Sequence, residues 1–117
     1  MAEVQLRLEA APVTPGEVSV FVEDGHFVFK ADDARAIYYF DKDKPGRSNC
    51  DRTCAATWRP VLAPADASAV GDWTAILRKD GPKQWAYKRR PVYTFVQDEP
   101  GRTKGDGIQG LWHVLKP

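Results

Sequence analysis

The chain contains the stretch Ile37-Tyr38-Tyr39-Phe40-Asp41-Lys42-Asp43-Lys44-Pro45-Gly46-Arg47 and, further on, the similar stretch Val92-Tyr93-Thr94-Phe95-Val96-Gln97-Asp98-Glu99-Pro100-Gly101-Arg102. Six residue types recur at one spacing, the 55 positions that separate Tyr38 from Tyr93. The recurring pairs are Tyr38 and Tyr93, Phe40 and Phe95, Asp43 and Asp98, Pro45 and Pro100, Gly46 and Gly101, and Arg47 and Arg102. An internal repeat of this length defines the unit of architecture.

The similarity extends beyond this stretch in both directions. The further matching features are Asp24-Gly25 with Asp80-Gly81, and Trp58 with Trp112. A chain of 117 residues has the length of one domain. We therefore predict a single domain, 1–117, with two similar halves at about 17–62 and 71–117.

Each copy of the repeat predicts a strand that ends in a fixed turn. Tyr38 and Phe40 are two residues apart, so their rings project from one face of a strand. The Asp43 carboxylate can accept hydrogen bonds from backbone N–H groups of the Pro-Gly turn that follows, and Arg47 can return to it. A calcium loop is the alternative, but Pro45 stands where a third acid is needed. The residues interpreted as this structural repeat are Tyr38, Phe40, Asp43, Tyr93, Phe95 and Asp98.

The remaining segments predict an all-β fold of antiparallel hairpins in two repeated halves, with a sandwich-like or barrel-like form. Apolar and polar residues alternate over 4–9, which predicts an N-terminal strand. Asp24-Gly25 suits a two-residue hairpin turn that pairs Glu23 with His26. The other predicted elements are a hairpin of 73–78 with 83–87, one short helix near 54–58 and a last strand at 111–115.

Composition and charge exclude several classes of protein. Lys and Arg number 17 and Asp and Glu 16, so the net charge of +1 is too weak for a nucleic-acid binder. No apolar run reaches the roughly 20 residues of a transmembrane segment. The first residues show neither a basic nor an apolar region of an export signal. The chain is therefore expected to be either cytoplasmic or a mature exported form.

Two cysteines, Cys50 and Cys54, allow a disulfide loop, half of a zinc site or two free thiols. A zinc site needs about four ligands, and the only other soft candidates are His26 and His113. The Cys-x-x-Cys spacing of redox-active thiols is absent. We favour a structural disulfide, which places the protein outside the reducing cytoplasm.

A longer combination of motifs points to a family. The chain carries Tyr38-x-Phe40-x-x-Asp43-x-Pro45-Gly46-x-Ser48-x-Cys50-x-x-x-Cys54-Ala55-x-x-Trp58, Gln84-Trp85-x-Tyr87, Pro91-Val92-Tyr93-x-Phe95-x-x-Asp98 and Gly110-x-Trp112-His113-Val114. Over about 18–115 this pattern resembles a bacterial family of secreted repeats of unknown function, predicted lipoproteins with a Tyr-x-(Phe/Trp/Tyr)-x-x-Asp motif. The resemblance implies an exported, β-rich domain of the periplasm or cell exterior without an established activity. It also supports a disulfide between the two cysteines.

The chain departs from that family pattern in three places. No cysteine lies near its start, so these residues do not predict the lipid anchor that the resemblance implies. Arg59 stands where the family has the first proline of a Trp-Pro-Pro triplet. Lys88-Arg89-Arg90 replaces a run that usually contains a glycine, and it adds positive charge.

Catalysis is not predicted. Nucleophilic catalysis needs a nucleophile, a base and an orienting group within hydrogen-bond reach, and the sequence suggests no such set. The acidic pairs, Asp32 with Asp33 and Asp41 with Asp43, fall in predicted solvated turns. We accordingly expect neither an enzyme nor a bound cofactor.

A binding module is the preferred class, because the chain is rich in aromatic residues. Strand alternation turns Tyr39 away from its two aromatic neighbours and puts Trp85 and Tyr87 on one side. An aromatic strip beside basic residues can bind a planar, sugar-like or anionic ligand. The predicted ligand-binding residues are Tyr39, Trp85, Tyr87, Arg89 and Arg90. The alternative is that a second layer covers these rings and makes them core.

We thus predict a non-catalytic extracytoplasmic domain that binds an envelope protein or a small ligand. A concave pocket lined by Tyr39, Trp85 and Arg90 favours a ligand, whereas a flat sheet edge favours a protein partner. The alternative function is a metal- or haem-binding envelope protein. It requires folding to bring His26 and His113 together.

Overall fold

The computed structural model describes residues 11–117, so the predicted strand at 4–9 lies outside the described residues. The strands are β1 (Val18–Glu23), β2 (His26–Ala31), β3 (Tyr38–Phe40), β4 (Trp58–Pro60), β5 (Leu62–Ala63), β6 (Trp73–Leu77), β7 (Lys83–Tyr87), β8 (Arg90–Pro91), β9 (Tyr93–Phe95) and β10 (Trp112–Val114). A short helix, α1, spans Thr53–Thr57, and a 3-10 turn spans Ile108–Gly110. The strand pairs are antiparallel, which confirms the predicted all-β class.

A long hairpin begins each repeat. β1 and β2 pair Glu23 with His26, which is the register that a two-residue Asp24-Gly25 turn requires. Both turn residues have the positive φ values of that turn type, 51° and 77°. β6 and β7 form the corresponding hairpin of the second repeat, and β5 and β8 also pair with β7. These sheets are open, so the fold does not close into a barrel.

The two repeats exchange strands in a central sheet of order β10-β3-β9-β4. β3 of the first repeat pairs with β10 of the second, which places Phe40 opposite Trp112. β9 of the second repeat pairs with β4 of the first, which places Phe95 opposite Trp58. In each repeat, strands of the central sheet therefore pair with strands of the other repeat.

One face of the central sheet carries an aromatic core. Its buried members are Tyr38, Cys50, Trp58, Tyr93, Phe95 and Trp112. The indoles of Trp58 and Trp112 are stacked, with 3.8 Å between ring centroids and 3° between planes. Gly105 covers this stack so closely that a Cβ would lie 2.5 Å from the Trp58 ring. A loop with glycine at this position is therefore required to close the core.

A second core lies between the hairpins and the other face of the central sheet. Its buried members are Val18, Phe29, Ala31, Ile37, Val61, Trp73, Trp85, Tyr87, Val92 and Leu115. Phe29 packs with its edge against Trp73 and Tyr87, with ring centroids 5.1 Å apart in both pairs. The first hairpin is thus attached to the second through aromatic contacts.

The tyrosine of each repeat donates a hydrogen bond to the aspartate of the other. The Tyr38 hydroxyl lies 2.6 Å from Asp98 Oδ2, and the Tyr93 hydroxyl lies 2.7 Å from Asp43 Oδ2. The second oxygen of each carboxylate accepts a backbone N–H six residues further along the chain, at 2.7 and 2.6 Å. Each aspartate therefore ties its own turn to the core of the opposite repeat.

The expectation that arginines return to these carboxylates is wrong. Within residues 11–117, neither Arg47 nor Arg102 forms an ion pair with Asp43 or Asp98. The tyrosine hydroxyl occupies that position because it approaches from the buried side of the turn. Arg35 reaches the second turn instead, with its Nε donating to the Asp98 carbonyl oxygen at 3.0 Å.

Replacing Asp98 by alanine should lower the free energy of unfolding by about 1–3 kcal/mol. Asp98 is 1% exposed, so its loss leaves the Tyr38 hydroxyl and the Lys104 N–H without that acceptor in a buried site. Urea unfolding followed by tryptophan fluorescence measures the change. Asp66→Ala, at an exposed position, is the control and should stay within about 0.5 kcal/mol of wild type. An Asp98→Ala protein as stable as wild type would contradict the structural role.

Candidate functional site

A basic turn, defined as Lys88, Arg89 and Arg90, joins β7 to β8. Lys88 and Arg89 are its two central residues, because Tyr87 pairs directly with Arg90. Their φ values are 48° and 71°, so both lie in the left-handed region. Asn-Gly is the usual pair for such a turn, since side chains with a Cβ adopt this backbone at a cost. All three side chains are exposed.

The basic turn lies beside the Pro-Gly turn of the first repeat, and the two enclose a cleft of about 290 Å³. A backbone hydrogen bond from Gly46 N to the Arg89 carbonyl oxygen, 2.7 Å long, joins the two turns. The residues lining this basic cleft are Tyr39, Phe40, Asp41, Asp43, Lys44, Pro45, Lys88, Arg89, Arg90 and Pro91. Four of them are cationic and two are acidic.

Tyr39 anchors the floor of the basic cleft. The Arg90 guanidinium lies over its ring, 4.3 Å from the centroid. The imidazole of His113 packs against the same ring at 5.2 Å, because His113 and Tyr39 are cross-strand partners. His113 Nε2 also lies 2.7 Å from Asp41 Oδ2. Tyr39 thus holds Arg90 in place, and the cleft is lined there by the Arg90 guanidinium instead of an uncovered aromatic ring.

The five residues predicted to bind a ligand separate into two groups. Tyr39, Arg89 and Arg90 line the basic cleft. Trp85 and Tyr87 lie in the core between the hairpins, 2% and 6% exposed, where a ligand in the cleft does not reach them. Trp85 Nε1 donates to Glu17 Oε1 at 2.8 Å, a bond that closes this core at its edge.

Asp43 connects the cleft to a buried polar network. Its carboxylate accepts hydrogen bonds from the Tyr93 hydroxyl and from Asn49 N, and the Tyr93 hydroxyl lies 2.6 Å from Ser48 Oγ. Burial raises the pKa of Asp43 to about 6, against the opposing effect of the hydrogen bonds from Asn49 and Tyr93. Burial and the negative charge of Asp43 raise the pKa of the Tyr93 hydroxyl above its usual value.

Arg78 is a buried cation that sequence reasoning missed. It is 4% exposed, and its guanidinium donates to the Cys50 carbonyl oxygen at 2.8 Å and to Gln84 Oε1 at 2.9 Å. It also forms a two-pronged pair with Asp80, at 2.9 and 3.0 Å, and this hydrogen bonding lowers the pKa of Asp80. The available signal was an arginine at a hairpin end with an aspartate two residues later.

The predicted disulfide between Cys50 and Cys54 is confirmed. It closes a short loop that leads into α1, and Cys50 is fully buried in the aromatic core. Because Arg78 donates to the carbonyl oxygen of Cys50, the disulfide loop is fixed from the hairpin side as well. The disulfide is thus part of the packing that supports the Asp43 turn.

The two histidines line different clefts. His26 lies beside the turn of the first hairpin, whereas His113 pairs with Asp41. Within residues 11–117 no three or more His, Cys, Asp or Glu side chains are grouped to hold a metal ion. The His113–Asp41 pair also has no serine, threonine or cysteine hydrogen-bonded to it in that part of the chain. The geometry therefore points to neither a metal site nor a nucleophilic centre.

Comparison with known proteins identifies the family. The family described as a secreted repeat of unknown function matches residues 22–62 and 74–116. The chain belongs to this family. The match confirms the resemblance found in the sequence and contains two repeats. No curated protein and no solved structure matches the chain.

None of the helices described between residues 11 and 117 is long and apolar enough to cross a bilayer. The secreted description of the family and the disulfide agree on an oxidising location. Both therefore support an assignment outside the cytoplasm.

The contribution of Asp43 to stability should depend on pH. Because its pKa rises from 3.8 to about 6 on folding, the native state binds the proton more tightly between these values. Stability due to Asp43 therefore falls as the pH rises from about 4 to about 6. Urea unfolding of wild type and Asp43→Asn should show the variant gaining on wild type over this window. The Asp66→Asn control should follow wild type, and a constant difference between Asp43→Asn and wild type would contradict the shift.

Replacing the central pair of the basic turn by Asn-Gly should stabilise the fold. Lys88→Asn/Arg89→Gly lowers the conformational cost of the left-handed backbone at both positions. It also removes the Lys88 ammonium that lies 5.4 Å from the Tyr87 ring centroid. We expect a net gain of about 0.5–1.5 kcal/mol in the free energy of unfolding. Lys88→Ala/Arg89→Ala is the matched control, because it removes the same charges but keeps a Cβ at both positions. Equal stability of the two variants would rule out backbone strain as the cause.

Proposed function

We propose that this secreted repeat protein is a non-catalytic extracytoplasmic binding module that recognises carboxylate or phosphate groups at the basic cleft. The observation that carries this proposal is the pair of cations at the centre of the basic turn. Lys88 and Arg89 both adopt positive φ, where Asn and Gly would form the same turn at a lower energetic cost. A residue choice that opposes local stability is typical of a functional position.

The electrostatics of the cleft support an anionic ligand. The three consecutive cations of the basic turn repel one another, and Lys44 adds a fourth positive charge to a lining that holds two carboxylates, Asp41 and Asp43. Within the described residues 11–117, none of the three forms an ion pair with an acidic side chain. A bound carboxylate or phosphate would offset this repulsion and accept charge-assisted hydrogen bonds from Arg89 and Arg90.

The shape of the cleft limits the size of the group it binds. About 290 Å³ is at the lower end of the range for small-molecule sites. Tyr39 is covered by Arg90 and His113, so it is not free to stack on a sugar or nucleotide ring. The cleft therefore suits the acidic end of a larger molecule better than a whole cofactor. Arg90, held over Tyr39, is the pre-oriented donor of the site.

The proposal is tested by titrating ¹⁵N-labelled protein with tripolyphosphate and with citrate at low salt. Amide shifts should concentrate at 39–46 and 88–91 and should saturate. Lys88→Asn/Arg89→Gly removes two donors of charge-assisted hydrogen bonds, so binding should weaken at least about ten-fold although the fold is more stable. Because this variant is expected to be more stable than wild type, unfolding cannot be the reason for its weaker binding.

Arg52→Asn provides the matched control for this titration. Arg52 is an exposed cation with a positive φ of 56°, but it does not line the basic cleft. Its replacement should leave the affinity for both anions unchanged. Shifts scattered over the surface, or equal weakening in both variants, would show non-specific charge attraction and would overturn the proposed site.

A further inference from the structure

The basic turn has a counterpart of opposite charge in the first repeat. The pair Lys30 and Ala36 forms a bridge between β2 and the segment before β3, as Ala86 and Pro91 do between β7 and β8. Between the first pair lies the acidic turn, defined as Asp32 and Asp33. Both aspartates are exposed, as the cations of the basic turn are. The positions equivalent to Lys88, Arg89 and Arg90 thus carry two acids, Asp32 and Asp33, followed by the base Arg35.

The two turns differ by one residue in length. The acidic turn closes with hydrogen bonds from Ala31 N to the Arg35 carbonyl oxygen and from Ala34 N to the Ala31 carbonyl oxygen, at 2.9 and 2.8 Å. Ala34 takes the left-handed conformation, with φ 68°, as in three-residue hairpin loops. Asp33 is locally fixed, since its Oδ1 accepts the Arg35 N–H at 3.1 Å and its Oδ2 lies 3.6 Å from the Arg35 guanidinium, whereas Asp32 has no ion pair within residues 11–117. The turn therefore presents its carboxylates from a defined backbone.

Each turn also flanks an equivalent cleft on the central sheet. At this end of the central sheet Arg59 of the first repeat is the cross-strand partner of Thr94 of the second, as His113 is of Tyr39 at the basic end. The cleft beside Arg59 and Thr94, about 260 Å³, is lined by both aspartates of the acidic turn and by Glu17. Three carboxylates and one cation, Arg59, therefore line this cleft, and the Glu17 carboxylate also accepts the Trp85 indole N–H.

We propose that the anionic group bound at the basic cleft is the acidic turn of a second copy of this chain. This inference rests on the proposed function and names its partner. The contact joins two different surfaces, so it is head-to-tail and leaves a free basic turn and a free acidic turn at the ends of each pair. With a net charge of +1 the protein has little overall repulsion to oppose association.

Sedimentation velocity of the full chain tests this contact. At about 20 mM salt the sedimentation coefficient should rise over about a hundred-fold range of concentration, and at about 500 mM salt the rise should disappear because exposed charges are screened. A wild-type protein that stays monomeric throughout at low salt overturns the proposal. If such a monomer still binds tripolyphosphate, the proposed function stands and only the proposed partner is wrong. If it neither associates nor binds tripolyphosphate, both proposals are wrong.

Two variants that each keep one turn provide the sharper test. Asp32→Asn/Asp33→Asn keeps the acceptor for Arg35 N but loses the acidic charge, and Lys88→Asn/Arg89→Gly loses the basic pair. Each variant alone should be monomeric, and the first should bind tripolyphosphate as wild type does. Mixed in equal amounts, they should form a dimer and nothing larger, because each contributes one intact turn. A monomeric mixture, or an acidic-turn variant that associates like wild type, overturns the proposal.

Matched substitutions outside the two turns control for a general effect of charge. Asp66→Asn and Arg52→Asn each remove one exposed charge from positions that line neither cleft. Both should associate as wild type does at low salt. Weakening in these controls equal to that in the turn variants would overturn the specific pairing.

Discussion

The reciprocal hydrogen bond between the tyrosine of one repeat and the aspartate of the other is the constraint on which this structure depends. Tyr38 and Tyr93 are both fully buried, so each hydroxyl needs a partner inside the protein. Asp98 and Asp43 supply it, and their second oxygens hold the backbone of the turns that cover the core. Strand exchange and turn geometry are thereby coupled.

The two copies of this motif are supported differently. On the Asp43 side, Ser48 Oγ lies 2.6 Å from the Tyr93 hydroxyl, and Arg78 donates to Ser48 Oγ and to the Cys50 carbonyl oxygen of the disulfide loop. On the Asp98 side, the Gly105 N–H donates to the Tyr38 hydroxyl at 3.2 Å, and the same glycine packs on Trp58. The disulfide and the buried Arg78 thus support the motif in one half, and the closely packed Gly105 loop supports it in the other.

Much of the fold followed from local rules. The two-residue Asp24-Gly25 turn determined the register of β1 and β2, and the short cysteine spacing and family resemblance indicated the disulfide. The spacing of a repeat shows which residues are equivalent, but not which of them pair. The tyrosine partners of Asp43 and Asp98 were missed for that reason, because each lies in the opposite repeat.

The candidate site was less accessible to sequence reasoning than the fold. Alternation along β7 separates Trp85 and Tyr87 from Gln84 and Ala86, but all four are buried, so the pattern cannot identify an exposed face. The cationic run was visible in the sequence. Its left-handed backbone, on which the proposed binding site rests, depends on the Tyr87–Arg90 pairing and was not visible in the sequence.

Reciprocal strand exchange has a consequence for the history of such a chain. A single repeat could complete its sheet by pairing with an identical repeat, and the resulting symmetric dimer would carry the same charge at both copies of the turn that is acidic in one repeat here and basic in the other. When the two copies are joined in one polypeptide, their sequences no longer have to be identical. The acidic turn and the basic turn are then encoded separately, so two repeats that share one pattern of core residues can carry opposite charges on their surfaces.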